Sequence, residues 1–364
     1  MERDAPKLPL RRGWTTGTCA AAASRAAYQA LLTGTFPDPV DVSLPNGARP
    51  GFALAMTETG PDFARAGVVK DAGDDPDVTH GALILATVRA GTPGSGVIFR
   101  AGAGVGSVTR PGLPVQPGEP AINPVPRAII RTAIAEAAAL FGGTGDAVVE
   151  LSIPGGEKLA ERTLNGRLGI VGGLSILGTT GVVVPYSCSA WIHSIHRGID
   201  VARAAGLEHI AGATGATSEA AIARLYQLPD IALIDMGDFV GGMLKYLRRH
   251  PVTRVTVAGG MAKMTKLGQG LLDLHSRRGE VDLGWLGQVA VSQGGDGELA
   301  AAIAQSNSAM EAFSHAQTAG VDLAAGVAAA AWRTAAQALG SGMRLGVVIF
   351  DRSGTLLARA ESGH

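Results

Sequence analysis

Four aspartates fall within seven positions of one short segment. The segment is KDAGDDPDVTHG, residues 70–81, and its aspartates are Asp71, Asp74, Asp75 and Asp77. Clustered carboxylates can bind a hard cation such as Mg²⁺, form a tight turn by bonding their own backbone, or line an acidic pocket. The glycine and proline among them favour a turn for part of the segment. We treat all four aspartates as candidate catalytic residues, and the metal-binding alternative stays open.

A second group of candidates lies where two predicted strands end. Gly212-Ala-Thr-Gly215 follows a strand and precedes a helix, and the next strand ends at Asp235. That is about twenty residues on, the spacing at which an acidic side chain accepts from ribose hydroxyls in nucleotide-binding α/β domains. We predict that an adenosine-containing cofactor contacts Gly212, Thr214, Gly215, Asp235 and Asp238. The alternative is that Asp235 only caps the next helix.

Two lysines add positive charge near the same predicted edge. Because ligands of open α/β sheets bind at the carboxyl ends of the strands, the loops 212–217, 235–238 and 259–263 should share one rim. Lys263 and Lys266 are three residues apart and therefore lie on one helix face. They could hold anionic groups, helped by the helix dipole. A solvated helix face is the alternative.

Threonines cluster at two T-T-G elements, one at a predicted helix start and one at the predicted domain junction. The residues are Thr15, Thr16, Thr18, Thr179 and Thr180. Hydroxyls and amide groups at a helix start form a site for anions. Capping of the helix explains one threonine of the first element but not three.

Other familiar site patterns are incomplete. AGAGVGSVT at 101–109 resembles a dinucleotide fingerprint, but prolines follow it where the fingerprint needs a helix. His193 and His196 have the spacing of metal ligands on a helix, but no cysteine or carboxylate completes the set. The sequence has no P-loop, nucleophile elbow or HExxH motif. We therefore predict no metal site of these kinds.

Composition excludes several classes of protein. Lysine plus arginine and aspartate plus glutamate both number 31, so no net charge attracts nucleic acid. Two cysteines cannot build a disulfide framework. The first residues lack the apolar core of a signal peptide, and no uncharged apolar run reaches about 18 residues. We expect a reduced, cytoplasmic protein that binds a small molecule and has no membrane or nucleic-acid partner.

The order of elements predicts an α+β protein with two domains. Residues 1–184 contain two helices and short strands separated by turn residues, which is typical of a turn-joined mixed α+β domain. Residues 185–339 alternate strands and helices and then add trailing helices, which predicts a smaller, Rossmann-like α/β domain with a parallel sheet. GVVIFDRSGTLLARA near the end indicates a hairpin. Because hairpins belong to turn-joined sheets, we assign 340–364 to the first domain.

Several segments resemble one known family. They are RRGWTTGTCAAAAS at 11–24, VVKDAGDDPDVTHG at 68–81, AGAGVGSVTRPGLP at 101–114, EPAINPVPRAII at 119–130 and GGLSILGTTGVVVPYS at 172–187. Together they resemble the CbiD family, the cobalt-precorrin-5B C-1-methyltransferases of anaerobic cobalamin biosynthesis. The resemblance extends along nearly the whole chain, and its DAGDDPDVT and AINPVPR motifs are long and unusual.

The resemblance implies methyl transfer from S-adenosylmethionine to ring carbon C-1 of cobalt-precorrin-5B, which gives cobalt-precorrin-6A. Cobalt then enters only as part of the substrate. A macrocycle fringed with carboxylates needs cations, hydroxyls and helix N-termini around an apolar floor. The candidate substrate-binding residues are Thr15, Thr16, Thr18, Asn123, Arg127, Thr179, Thr180, Lys263 and Lys266.

One segment departs from the family pattern. AGGMAKMTKLGQG at 258–270 has Gly260 and Met261 where the family is expected to carry histidine and isoleucine, although Lys263 and Lys266 match. Three alternatives stay open: a metal-dependent phosphotransfer enzyme that uses the aspartate segment, a non-catalytic tetrapyrrole carrier, and a methyltransferase whose cofactor lies at the domain junction. The oligomeric state, including a homo-oligomer, also stays open.

Overall fold

The computed structural model describes residues 9–276 and 278–362. The chain divides into two compact units, Met1–Ser187 and Cys188–His364. The first unit combines helices with mostly antiparallel strands, and the second has a parallel sheet. The α+β, two-domain fold class is confirmed.

Unit 1 is built on a five-stranded sheet and two long helices, one packed on the sheet and the other packed on the first helix. The helices of this unit are α1 (Thr16–Thr33), α2 (Pro124–Phe141) and α3 (Gly156–Ala160). The strands are β1 (Gly13–Trp14), β2 (Val40–Asp41), β3 (Gly51–Phe52), β4 (Met56–Thr59), β5 (Phe63–Val69), β6 (Leu83–Ala90), β7 (Val97–Ala101), β8 (Gly104–Val105), β9 (Ser107–Val108), β10 (Ala147–Ser152), β11 (Ile170–Val171), β12 (Gly173–Leu174) and β13 (Val182–Val183). The main sheet has the order β4-β5-β6-β10-β7, and only its β10–β7 pair is parallel.

Helix α1 is the central element of unit 1. Its alanine-rich first half is buried on every side, because it packs against β5, β6 and α2. Small side chains allow this close approach and favour the helix as well. The helix begins after Thr15, which caps it, and ends at Gly34 in the left-handed conformation. Helix α2 ends in the same way at Gly142.

Unit 2 alternates strands and helices before a run of five consecutive helices. The helices are α4 (Cys188–Ala204), α5 (Ala216–Tyr226), α6 (Val240–Leu247), α7 (Met261–Gly268), α8 (Leu283–Ser292), α9 (Gly297–Ala304), α10 (Ala309–Thr318) and α11 (Leu323–Leu339), with a 3-10 turn at Asp230–Ala232. The strands are β14 (His209–Ala213), β15 (Leu233–Asp235), β16 (Arg254–Gly260), β17 (Arg344–Phe350) and β18 (Leu356–Glu361). The sheet order is β15-β14-β16-β17-β18, and only β18 is antiparallel to its neighbour.

The assignment of the C-terminal hairpin to the first domain is wrong. A hairpin does form between β17 and β18, but β17 pairs in parallel with β16 of unit 2. Residues 345–350 are buried in one unbroken run, which requires a strand covered on both faces. An antiparallel strand at the edge of a parallel sheet is a common arrangement. Residues 363–364 of the predicted range lie outside the described residues.

Over the described ranges 9–276 and 278–362, no helix is both long and apolar enough to cross a membrane.

Candidate functional site

Segments that are far apart in the sequence meet at the N-terminus of α1 in unit 1. The Trp14 N–H donates to the Asp71 carbonyl at 2.7 Å, and the Gly17 N–H donates to the Leu177 carbonyl at 3.2 Å. The Asn123 N–H donates to the Ile176 carbonyl at 3.0 Å. Three segments, 70–80, 119–127 and 176–186, therefore surround the start of this helix. We call this cluster the α1 junction.

Glycines make the closest approach at the α1 junction possible. A Cβ atom on Gly13 would lie 2.0 Å from the carbonyl carbon of Ala72, and one on Gly73 would lie 2.2 Å from the carbonyl oxygen of Arg11. Gly73 also has φ of +69°, a conformation that side chains disfavour. The N-terminal arm and the aspartate segment are thus packed backbone against backbone, which fixes the position of both.

The threonines at the start of α1 bond to the chain itself. The Thr15 Oγ1 accepts from the Thr18 N–H at 3.2 Å, and the Thr18 hydroxyl donates to the Gly181 carbonyl at 2.7 Å. The Thr15 N–H also donates to the Gly181 carbonyl, at 3.1 Å. Thr16 is buried. The Gly181 carbonyl of the second T-T-G element therefore accepts from both Thr15 and Thr18. Contact between these threonines and an anionic substrate stays a prediction.

Two of the four aspartates contact the N-terminal arm. The Arg11 guanidinium bonds both carboxylate oxygens of Asp71, with the Nη2–Oδ1 distance at 2.9 Å. Hydrogen bonds from Arg11 and from the Gly73 N–H lower the pKa of Asp71 to about 2. The Asp74 Oδ2 accepts from the Arg11 backbone N–H at 2.6 Å. Both carboxylates therefore hold the arm in place.

The other two aspartates stabilise more buried parts of the α1 junction. Asp75 Oδ1 accepts from the Tyr186 N–H at 2.8 Å. Asp77 pairs with the ammonium group of Lys70, whose side chain is 1% exposed, and accepts from the Thr79 N–H at 2.8 Å. Burial alone would raise the pKa of Asp77, but Lys70 and Thr79 outweigh it and the pKa is lowered.

These contacts define what the aspartate segment can do. Asp71 and Asp77 neutralise Arg11 and Lys70. Carboxylates with lowered pKa values are weak bases at neutral pH, so a catalytic role for Asp71 or Asp77 has little support. Within residues 9–276 and 278–362, no three His, Cys, Asp or Glu side chains come together as metal ligands.

Arg127 and Asn123 lie at the start of α2 but differ in their contacts. The Arg127 guanidinium donates to the carbonyls of Ile122 and Pro120 at 2.8 and 3.1 Å, and it pairs with Glu119 at 2.8 Å. It therefore holds the loop before α2. The half-buried Asn123 side chain makes no capping bond, although it occupies the N-cap position. Direct substrate contact by either residue stays a prediction.

The second T-T-G element forms the exposed part of the α1 junction. Thr179 and Thr180 are exposed, and the Thr180 hydroxyl donates to the Val182 carbonyl at 3.1 Å. Three large apolar side chains of the same segment are also exposed, namely Leu177, Val184 and Tyr186. Tyr186 is 68% exposed and has φ of +55°. Polar and apolar groups thus alternate on this surface, which suits a large ligand with both kinds of surface.

In unit 2, the loops after β14, β15 and β16 meet as predicted. The Thr214 N–H donates to the Ala258 carbonyl at 3.0 Å, which joins the loop after β14 to strand β16. The Gly237 N–H donates to the Ala213 carbonyl at 3.2 Å, which joins the loop after β15 to the end of strand β14. The three loops form one edge at the carboxyl ends of the strands, which we call the unit 2 rim.

Lys263 binds two loops of the unit 2 rim to each other. Its Nζ donates to the Thr214 carbonyl at 2.7 Å and lies 3.1 Å from the Asp238 Oδ1. Lys266, one turn further along α7, donates to the Leu274 carbonyl at 3.2 Å. Both ammonium groups therefore have partners within unit 2, and contact with substrate carboxylates stays a prediction.

The two glycines predicted to approach the cofactor have different environments. Gly212 lies inside β14, and a Cβ atom there would lie 2.3 Å from the sulfur of Met243. Packing against α6 explains this glycine, and contact between Gly212 and the cofactor stays a prediction. Gly215 precedes α5 with an extended backbone that any residue adopts, and its Cβ would meet no atom of the described chain within 4 Å. Only Gly215 leaves space for a ligand.

Trp191 contacts the unit 2 rim and was not among the predicted residues. Its indole N–H donates to the Asp235 carbonyl at 3.1 Å, and its ring lies 3.3 Å from the Cβ position of Gly237. Trp191 precedes the buried residues Ile195 and Ile199 at four-residue intervals. That spacing predicts a core residue, so no local pattern indicated a site here.

Comparisons with known proteins agree with one another. The family model described as CbiD matches residues 3–185, and the model described as CbiD, C-terminal domain, matches residues 273–361. The chain is 65% identical to the cobalt-precorrin-5B C(1)-methyltransferase of Agrobacterium fabrum, over all of this chain (100%) and 95% of that protein. It is 64% identical to the protein of the same name from Methylorubrum extorquens, over 96% of this chain and 97% of that protein.

One solved structure is also similar. It is the 1.9 Å crystal structure of the cobalamin biosynthesis protein CbiD from Archaeoglobus fulgidus, with 30% sequence identity and a TM-score of 0.41. The match covers 74% of this chain and 83% of that chain.

Proposed function

The chain belongs to the CbiD family, and we propose that it transfers a methyl group from S-adenosylmethionine to C-1 of cobalt-precorrin-5B, giving cobalt-precorrin-6A. The observation that carries this proposal is the 65% identity to a cobalt-precorrin-5B C(1)-methyltransferase over the whole chain. The reaction is a step of cobalamin biosynthesis. Cobalt belongs to the substrate and needs no ligands from the protein.

The reaction requires positioning more than a reactive side chain. S-adenosylmethionine supplies an electrophilic methyl group on a sulfonium. Ring carbon C-1 forms its bond to the methyl carbon while the methyl–sulfur bond breaks, so the two carbons must be held in line at about 3 Å. Such positioning lowers a barrier by up to roughly 7–11 kcal/mol. The engagement of the four aspartates by other parts of unit 1 is compatible with this chemistry.

Unit 2 has the features that an adenosine-containing cofactor needs. Asp235 ends β15 at the unit 2 rim, where its carboxylate can accept from ribose hydroxyls. The space above Gly215 supports the fit, because no atom of the residues that the structure describes lies within 4 Å of a Cβ at this position. Lys263 holds Thr214 and Asp238 in place on the two sides of the site. In this proposal Thr214, Gly215, Asp235 and Asp238 form the cofactor site, and Gly212 supports it by packing.

Unit 1 offers the surface for the tetrapyrrole. Exposed Leu177, Val184 and Tyr186 supply apolar area for the face of the macrocycle, and Asn123 and Thr179 supply polar groups for its carboxylate side chains. Arg127, Thr15, Thr18 and the four aspartates position this surface through the contacts described above. The residues that hold it together are therefore mostly distinct from the residues that contact the substrate.

The two other activities have weaker support. A phosphotransfer enzyme would need the aspartates as metal ligands, but each of them contacts a group of unit 1. A non-catalytic carrier would need no methyl donor, whereas the relatives carry the name of a methyltransferase.

Calorimetry with S-adenosylhomocysteine tests the proposal together with an assay of methyl transfer. We expect the wild type to bind S-adenosylhomocysteine and to add one methyl group to cobalt-precorrin-5B in the presence of S-adenosylmethionine. Asp235→Ala should weaken binding about tenfold, the value of one lost charge-assisted hydrogen bond. The control is Asp230→Ala, an exposed aspartate on the preceding turn. Tetrapyrrole binding without any binding of S-adenosylhomocysteine would support the carrier instead.

A further inference from the structure

Two contacts hold the Trp191 side chain against the unit 2 rim. The indole N–H bonds the Asp235 carbonyl at 3.1 Å, which fixes the edge of the ring. The backbone of Gly237 lies against the six-membered part of the indole, and a Cβ atom at this glycine would be 3.3 Å from it. Gly237 also has φ of +53°. The ring is thus held in one orientation, yet 45% of the residue remains exposed.

The exposure of Trp191 is unusual within this chain. Tryptophans number four, and the other three, Trp14, Trp285 and Trp332, are only partly exposed and pack against hydrophobic cores. An exposed and oriented indole is costly to leave in water and is often a binding surface for another flat ring. Its position next to Asp235 identifies which ring this would be.

The order of the strands gives the direction in which a bound adenosine would extend. Strand β15 is the outer strand of the sheet, and β14 lies inside it. Gly215 follows β14 and Asp235 ends β15, so a nucleoside whose ribose bonds Asp235 has its sulfur side towards Gly215. Its base then lies on the outer side, beyond β15. Trp191 contacts the chain at that place, through Asp235 and Gly237.

We infer that the exposed face of Trp191 stacks on the adenine ring of the cofactor and forms the outer wall of its site. This inference rests on the proposed function and adds a residue and a subsite to it. Stacking between a base and an aromatic side chain is worth enough to change affinity about tenfold. The indole N–H has a separate effect, because it fixes the loop that carries Asp235.

The test compares two substitutions at position 191 by calorimetry. Trp191→Ala should weaken S-adenosylhomocysteine about tenfold, because it removes the aromatic face. Trp191→Phe keeps an aromatic face and loses the N–H donor, so it should recover most of the affinity. Equal losses in both variants would mean that only the bond to Asp235 matters, and would overturn the stacking assignment. Binding of cobalt-precorrin-5B should be unchanged in both.

Three ligands locate the contact on the cofactor. 5′-Methylthioadenosine keeps the adenine but lacks the amino acid, so Trp191→Ala should weaken it by the same factor as S-adenosylhomocysteine. The affinity of Trp191→Ala for S-adenosylmethionine should also fall by that factor. A much larger loss for S-adenosylmethionine would place the ring against the sulfonium through a cation–π contact, and would overturn the adenine assignment.

Fluorescence gives an independent readout. S-adenosylhomocysteine should change the tryptophan emission of the wild type and of Trp285→Phe, the matched control, but not of Trp191→Phe. An emission change that persists in Trp191→Phe would contradict the inference. If the wild type binds no S-adenosylhomocysteine at all, the proposed function fails; if it binds and Trp191→Ala binds equally well, only this inference fails.

Discussion

The aspartate segment of unit 1 and the unit 2 rim are both rich in groups that could do chemistry, but their partners differ. In the aspartate segment, each of the four carboxylates accepts from a group of the same unit. In the rim, Gly215 has open space above it, and Trp191 is nearly half exposed. The aspartate segment, with its dense cluster of charge, is therefore a structural junction of the fold. The unit 2 rim has fewer charged residues and is the better candidate for a ligand site.

The comparison has a physical basis in the cost of burying charge. Lys70 is 1% exposed, and a buried ammonium needs an acidic partner. Asp77 supplies that charge, and Thr79 supplies an oxygen acceptor at 2.6 Å. A ligand site has the opposite requirement, since its groups must remain available to a molecule that arrives from solvent. The following variants test whether the two regions differ in this way.

The largest expected effect is on stability, at Asp77. Asp77→Asn removes the charge that balances Lys70, so it should lower the free energy of unfolding by about 3 kcal/mol, the low end for a broken buried pair. For a domain of this size that corresponds to a fall in Tm of roughly 6–12 °C. Thermal and urea denaturation measure both values.

Asp74→Asn is the matched control from the same segment. Asp74 is exposed and accepts from the Arg11 backbone N–H, a bond that an asparagine oxygen can replace. Its Tm should stay close to that of the wild type. If Asp77→Asn were as stable as this control, Asp77 would not have the structural role described here. That outcome would favour the hypothesis that Asp77 is catalytic.

A pair of glycine substitutions separates packing from ligand contact within the rim. Gly212→Ala puts a Cβ 2.3 Å from the Met243 sulfur, so it should cost about 2 kcal/mol of stability through overpacking. Gly215→Ala meets no chain atom and requires no unfavourable φ, so its stability should equal or slightly exceed that of the wild type. Its affinity for S-adenosylhomocysteine should nevertheless fall. A stable Gly215→Ala variant with unchanged affinity would show that the ligand does not lie next to Gly215.

Lys263 should show a smaller effect, on affinity first. Lys263→Met removes the bonds to the Thr214 carbonyl and to Asp238, so S-adenosylhomocysteine should bind about tenfold more weakly, or about 1.4 kcal/mol. Lys263→Arg keeps the charge and should recover part of the loss. Lys245→Met, at an exposed position of α6, is the control. A loss of tetrapyrrole binding with intact binding of S-adenosylhomocysteine would instead identify Lys263 as a substrate ligand, as first predicted.

Local patterns predicted most of the helices and strands, because their signals lie within a few residues. Thr15 and Gly34 mark the ends of α1, and the strands at 209–213 and 254–260 are short apolar runs between turns. The grouping of three loops at one rim also followed from the βαβ order. The position of the C-terminal hairpin did not follow from local patterns. The hairpin pairs with β16, and five helices of unit 2 separate the two in the sequence.

The contacts of the candidate site residues that sequence reasoning could not predict involve distant partners. Gly212 resembles a cofactor glycine, but the atom that requires it belongs to Met243 on another helix. The aspartates resemble metal ligands, but Arg11 lies sixty residues before Asp71. Trp191 has the spacing of a core residue, and only its contact with Asp235 places it at the rim. Only folding brings each of these partners into contact, so local sequence patterns do not indicate them.

The smallest expected effect concerns the pH dependence of the exposed Arg11–Asp71 pair. The pKa of Asp71 is about 2 in the folded chain, below the value of about 3.9 for an unfolded aspartate. The pair therefore stabilises the fold fully at pH values above about 3.9. The contribution should disappear as the pH falls towards 2. Asp71→Asn keeps an oxygen for the Gly73 N–H, and it loses the charge and one of the two oxygens that accept from Arg11. Urea denaturation should therefore show a small deficit for Asp71→Asn at pH 6 that shrinks on acidification and in 1 M salt, where screening is strong. A deficit that grows as the pH falls would contradict the sign of this linkage, and one that ignores salt would show that the ion pair is not its cause.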